Sequence, residues 1–218
     1  MRTDILFYIP NIIDYIRIIF LAFAVVYRSN PWTCLSLYSI SILLDGLDGV
    51  AARKFDQVSE FGAWLDVVID NAGRAFLWSN ISEVGFLISS LEWITFICNH
   101  SMGSEWKNLS TAPYFVRKVM GNGFKTPMGV LAVGSLQCLP IWLFIQDRNL
   151  LELSFFVWFP VTIFLLIGRT SCAITELWCI ATHIQSMLSD KGTRKIKNEA
   201  EQLKKKCETR NKPEAKLY

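Results

Sequence analysis

The run Leu43–Asp70, LLDGLDGVAARKFDQVSEFGAWLDVVID, decides the fold. It sets Asp45, Asp48, Asp66 and Asp70 in or against the most apolar part of the chain. A carboxylate at the middle of a lipid-embedded helix costs on the order of 3 kcal/mol, so four in one short stretch need a compensating partner. Asp45 and Asp48 are three residues apart and Asp66 and Asp70 four, so on helices each pair shares one face. If the two helices form a hairpin, all four carboxylates converge. Negative charges that close cannot all stay ionised unless cations sit between them. No Cys or His lies in the run, so the oxygen-only donor set favours Mg²⁺ or Mn²⁺ over zinc. Paired hard cations on carboxylates suit displacement at phosphorus, where they neutralise charge on the attacking and leaving oxygens.

Outward from this run the chain stays apolar. Of 218 residues 52% are hydrophobic, too many for a soluble domain and enough for several membrane spans. A spanning helix needs about 20 mostly apolar residues. Six stretches approach this, at 11–28, 33–52, 61–80, 83–102, 127–146 and 153–174, the last continuing as helix to about 188. The expected fold is therefore an all-α integral membrane protein of about six transmembrane helices over residues 1–188, with a basic tail over 189–218.

Lys191, Arg194, Lys195, Lys197, Lys204, Lys205 and Lys206 lead the basic excess of that tail, which the positive-inside rule places in the cytosol. With six spans the N-terminus is cytosolic too, and so is the loop carrying Arg53 and Lys54. The carboxylate hairpin then opens toward the cytosol, where nucleotides are. The six Cys show no paired or metal-type spacing and mostly lie in apolar stretches, so buried reduced thiols are expected.

The pattern Asp45-x2-Asp48-Gly49-x2-Ala52-Arg53-x8-Gly62-x3-Asp66-x3-Asp70 resembles the signature of the CDP-alcohol phosphatidyltransferases. The resemblance implies that Asp45, Asp48, Asp66 and Asp70 hold two divalent cations, Mg²⁺ or Mn²⁺, on the diphosphate of a CDP-linked lipid. It makes Asp70 the general base for the incoming alcohol, and Gly49, Ala52, Arg53 and Gly62 the nucleotide-binding positions. Helix packing alone also explains small residues such as Gly49 and Gly62, and a lone Arg53 at a span end also reads as a topology anchor. Within the family, FYIPNIIDYIRIIF, with Pro10, Asn11 and Arg17, and the signature itself are most similar to the eukaryotic phosphatidylinositol synthases. That branch implies CDP-diacylglycerol as donor, myo-inositol as acceptor, residence in the endoplasmic reticulum and a homodimer. Nucleic acid is not expected as a partner.

After the hairpin the resemblance weakens. Asn71 stands where those synthases carry a basic residue, with Arg74 one turn later. Phe96, Ile97, Ser135 and Leu136 stand where polar residues are usual, and Arg169 where a Lys is usual. Arg17, Arg74 and Arg169 are candidates for acceptor or phosphate contacts. For Arg17 the competing reading is simple neutralisation of Asp14, three residues before it, and for Arg169 a structural pair with Glu176. Three classes of function compete: inositol transfer, the same chemistry on another alcohol such as glycerol 3-phosphate or serine, and a weakly active paralogue serving as a membrane binding or regulatory subunit.

Overall fold

The computed structural model describes residues 3–189 and 198–204, and these are almost wholly helical. A 3₁₀ turn over Thr3–Phe7 leads into α1 (Ile9–Val26), α2 (Pro31–Lys54), α3 (Glu60–Ile81) and α4 (Gly85–Met102). A second 3₁₀ turn, Gly103–Lys107, precedes α5 (Tyr114–Phe124), α6 (Pro127–Asp147) and α7 (Phe155–Leu188).

Local chemistry sets the starts of these helices. Asn30 accepts from the Thr33 N–H at 3.3 Å ahead of Pro31, and Thr126 Oγ1 accepts from the Gly129 N–H at 3.0 Å ahead of Pro127. Both pair a capping side chain with a proline at the first helical position, where its missing N–H costs nothing. Ser59 caps α3 in the same way, accepting from Gly62 N–H at 3.0 Å. Between α2 and α3 the chain turns in a few residues, with Asp56 at a positive φ of 52°. Gln57 Oε1 then accepts from Ile9 N–H at 2.8 Å, which ties this turn to the start of α1.

The α2–α3 hairpin forms, yet its arms do not pack along each other. Both lean on α1, while α3 also packs on α4 and α6, and α7 packs on α4 and α6. One apolar cluster joins Ala24, Cys34, Tyr38, Leu77 and Phe144 from α1, α2, α3 and α6. A second joins Val116 and Met120 of α5 to Cys179 of α7. Where α6 meets α7 the backbones approach closely: a Cβ on Gly168 would lie 2.8 Å from the Leu131 carbonyl, the small-residue contact by which membrane helices pack.

The distribution of polarity is that of a protein in lipid. Phe156, Leu43, Val26 and Phe164 face outward while Asn11, Asp14, Arg17, Glu92 and Arg169 are buried, the reverse of a soluble core. Four helices, α1, α2, α6 and α7, are long and apolar enough to cross a membrane. Four of the six expected spans thus meet this measure among the described residues. The other two candidates, α3 and α4, form helices at the expected places, but Asp66, Asp70 and Arg74 dilute the first, and Glu92, Asn99 and His100 the second. The predicted continuation of the last span is present, since α7 runs unbroken to Leu188. Cys34, Cys98, Cys172 and Cys179 are free and buried, whereas Cys138 is free and exposed. Most of the 189–218 tail lies outside the described residues.

Candidate functional site

The four signature aspartates converge on one guanidinium. Arg17 of α1 donates from Nη1 to Asp48 Oδ2 at 2.8 Å and to Asp66 Oδ1 at 2.7 Å. Its Nη2 lies 2.7 Å from Asp45 Oδ1 and donates to Asp70 Oδ1 at 2.7 Å. Asp14, one turn before Arg17, adds a fifth carboxylate at 2.9 Å from Nη1. Arg17 is 1% exposed. Of the two readings of this arginine, the structure shows the neutralising one on a larger scale, with five carboxylates in place of one.

Two sets of oxygens within this cluster are close enough to share a cation. Asp14, Asp48 and Asp66 form one triad and Asp45, Asp66 and Asp70 the other, the ligand atoms of each lying within 4.8 Å of one another. Asp66 belongs to both. The donor set fits hard divalent cations: every candidate ligand is a carboxylate, and a cationic side chain already occupies the space between them. Asp14 was not legible as a member from the signature, because its place depends on how α1 packs between α2 and α3.

A cleft of about 180 Å³ opens beside the aspartates. Gly49, Ala52, Arg53 and Gly62 all line it, together with Asn11 and Asp14 of α1. The two glycines differ. A Cβ on Gly62 would lie 2.7 Å from Asn11 Oδ1, so α1 leaves no room for one. On Gly49 a Cβ would meet only the Arg53 guanidinium, at 3.5 Å, so no neighbouring helix requires a glycine there. Asn11 is fully buried, and its Oδ1 has no hydrogen-bond partner.

On the other side of Asp70 a chain of buried charges leads away. Arg74 Nη1 donates to Asp70 Oδ2 at 3.3 Å and Nε to Glu92 Oε2 at 2.7 Å. Arg169 Nη2 donates to Glu92 Oε1 at 3.3 Å and Nη1 to Glu176 Oε2 at 2.8 Å. Signs alternate from Asp70 to Glu176, crossing α3, α4 and α7. The partners of Glu92 lie 18 and 77 residues away, so no local spacing announces the pairing. Arg169 pairs with Glu176, as in the structural reading of it, and its other carboxylate partner is Glu92.

Against this chain lies a hollow of about 820 Å³, whose lining includes Asn71, Arg74, Glu92, Thr95, Asn99 and Glu176 beside aromatic and aliphatic side chains. Asn71 Nδ2 and Asn99 Oδ1 are buried without a hydrogen-bond partner, one a free donor and one a free acceptor. Phe96 and Leu136 also line this hollow. Ile97 instead faces outward, 58% exposed, and Ser135 is buried against Gly168. Of Phe96, Ile97, Ser135 and Leu136, only Phe96 and Leu136 therefore touch this hollow.

Residues 7–102 match the model of the CDP-alcohol phosphatidyltransferase family. The match covers less than half of the chain, and with its four helices long and apolar enough to cross a membrane the protein is an integral membrane protein of all-α class. The chain is similar to the CDP-diacylglycerol–inositol 3-phosphatidyltransferase of Saccharomyces cerevisiae, 49% identical over 74 residues, which are 34% of each chain. It is similar to CDP-diacylglycerol–inositol 3-phosphatidyltransferase 1 of Arabidopsis thaliana, 40% identical over 85 residues, 38% of this chain and 37% of the relative. The Homo sapiens protein of the same description is 38% identical over 80 residues, 36% of this chain and 38% of the relative. The alignments thus span little more than a third of these relatives' length. No solved structure matches the chain.

Proposed function

We propose that this protein transfers the phosphatidyl group of CDP-diacylglycerol to myo-inositol, giving phosphatidylinositol and CMP. The observation that carries the reading is the cleft beside the aspartates, which every glycine, alanine and arginine of the signature lines, together with a second, larger hollow that Arg74 links to Asp70. Two divalent cations, Mg²⁺ or Mn²⁺, would sit on Asp45, Asp48, Asp66 and Asp70, where bound they would offset charge on the diphosphate. Asp70, which accepts from Arg17 and from Arg74 at the edge of the hollow, is assigned as general base. It takes the proton of an inositol hydroxyl while that oxygen bonds to the phosphatidyl phosphorus and the bond to the CMP oxygen breaks. Gly49, Ala52, Arg53 and Gly62 hold the cytidine diphosphate, with the Arg53 fork on phosphate oxygens.

The hollow suits a polyol. Each hydroxyl both donates and accepts, and Asn71 Nδ2 and Asn99 Oδ1 provide one unpaired partner of each kind. Arg74 and Arg169 are read as positioning groups behind this space, since both are consumed by Asp70, Glu92 and Glu176. The names of the relatives agree with inositol as acceptor. Residues 1–188 are taken as the catalytic membrane domain and 189–218 as a basic cytosolic tail, in the endoplasmic reticulum with the site facing the cytosol. A homodimer is carried by the family resemblance alone.

The test is direct: membranes expressing the chain, given CDP-diacylglycerol, Mn²⁺ and a panel of labelled alcohols. Label entering lipid from inositol supports the reading. Label entering from glycerol 3-phosphate or serine instead moves the acceptor, and no CMP release with any alcohol leaves the binding or regulatory reading.

A further inference from the structure

The signature contains four aspartates, but the structure gathers five. Asp14 is 2% exposed, on the first membrane helix, and its carboxylate faces Asp48 and Asp66 closely enough for the three to share one cation. We propose that Asp14 is a fifth ligand of the cation site, completing with Asp48 and Asp66 the half of the site nearer the nucleotide cleft. The inference rests on the reading of the aspartate cluster as a divalent-cation site.

Three observations carry it. The guanidinium of Arg17 divides between the two triads, Nη1 on Asp14, Asp48 and Asp66, and Nη2 on Asp45 and Asp70. A cationic group thus already treats Asp14 as equivalent to two signature ligands. Charge balance points the same way. Five carboxylates and one guanidinium leave four negative charges, which two divalent cations neutralise, whereas four carboxylates with Arg17 in place leave only three. The third is the neighbour of Asp14 on the same face of α1: Asn11 is wholly buried, its Oδ1 has no partner, and it lines the same cleft as Asp14, Asp48 and Asp66. Asn11 Nδ2 donates to the Ile5 carbonyl at 2.6 Å, which leaves Oδ1 as the free atom, and a membrane helix that commits a buried carboxylate and an unpaired amide oxygen to one cleft commits them to a polar ligand there.

The experiment counts cations. Purified full-length protein in detergent is titrated with Mn²⁺, and free Mn²⁺ is followed by its electron paramagnetic resonance signal. Wild type should hold two Mn²⁺. Asp14→Asn should lose about tenfold or more in affinity at one site and keep the other. Asp14→Cys should weaken Mn²⁺ at the same site while strengthening Cd²⁺, because a thiolate is a soft ligand; a purely structural carboxylate would produce no such switch. Should both variants fail to fold, Asp14→Glu keeps the charge and moves the oxygens by one methylene, and it should change the affinity of one site alone. Two Mn²⁺ bound with wild-type affinity in the folded variants would overturn the role of Asp14. No Mn²⁺ bound by wild type would instead overturn the cation site itself, and with it the inference.

Discussion

Arg74 Nε donates to Glu92 Oε2 at 2.7 Å, joining α3 to α4 behind the aspartate cluster. Both groups are buried, and the same glutamate also receives Arg169. Glu92→Gln therefore leaves two arginines sharing fewer negative charges in a dry interior. Removing one partner of a buried pair typically costs about 3–5 kcal/mol, so the melting temperature in detergent should fall by several degrees. Because Arg74 also holds Asp70, turnover should fall further than affinity for CDP-diacylglycerol. A thermal scan together with a kcat and KM determination checks both halves.

Asp66 is the only aspartate in both triads. Asp66→Asn should therefore abolish binding of both cations, where Asp45→Asn weakens one. Mn²⁺ titration of the two variants side by side reads the difference, and equal retention of one cation in both would remove Asp66 from its bridging place.

The two signature glycines should respond differently to the same change. Gly62→Ala forces a methyl to within 2.7 Å of Asn11 Oδ1, and overpacking of this kind costs about 1–3 kcal/mol, so it should lower stability. Gly49→Ala meets only a flexible arginine end. It should leave stability unchanged and raise the KM for CDP-diacylglycerol, as measured by CMP release.

If the hollow takes the acceptor as proposed, the unpaired atoms of Asn71 and Asn99 are its partners. Asn71→Leu or Asn99→Leu removes a hydrogen-bonding partner whose loss costs roughly 1–3 kcal/mol, or about tenfold to a hundredfold in binding. Inositol KM should rise by at least about tenfold with CDP-diacylglycerol KM unchanged.

Why the signature could be read from the sequence and the rest could not is visible in particular residues. Asp45, Asp48, Asp66 and Asp70 announce themselves through local spacing and through their cost in an apolar run, and the structure does bring them together. Asp14 and Arg17 are equally local as a pair, but their place at the centre of the cluster depends on α1 entering between α2 and α3, which spacing does not encode. Glu92 has no local partner in the sequence, and Arg74 and Arg169 reach it only through the packing of α3 and α7 on α4. The short α5, YFVRKVMGNGF, was missed because it is too brief and too polar to read as a span. Its Val116, Val119 and Met120 nevertheless pack on α6 and α7. In α3 and α4, buried polar residues lower the mean hydropathy of helices that still form at the expected places, so a count of spans by apolarity alone falls short of a count of helices.

The most direct measurement is a single reaction: purified protein in detergent with CDP-diacylglycerol, tritiated myo-inositol and Mn²⁺, run with and without EDTA, and followed as labelled lipid and released CMP. Labelled phosphatidylinositol and CMP in equal amounts, both lost on chelation and both absent for Asp70→Asn, are predicted. Inositol incorporation that survives EDTA or the Asp70→Asn change, or CMP release with no labelled lipid, would contradict the assignment of the aspartate cluster to phosphatidyl transfer.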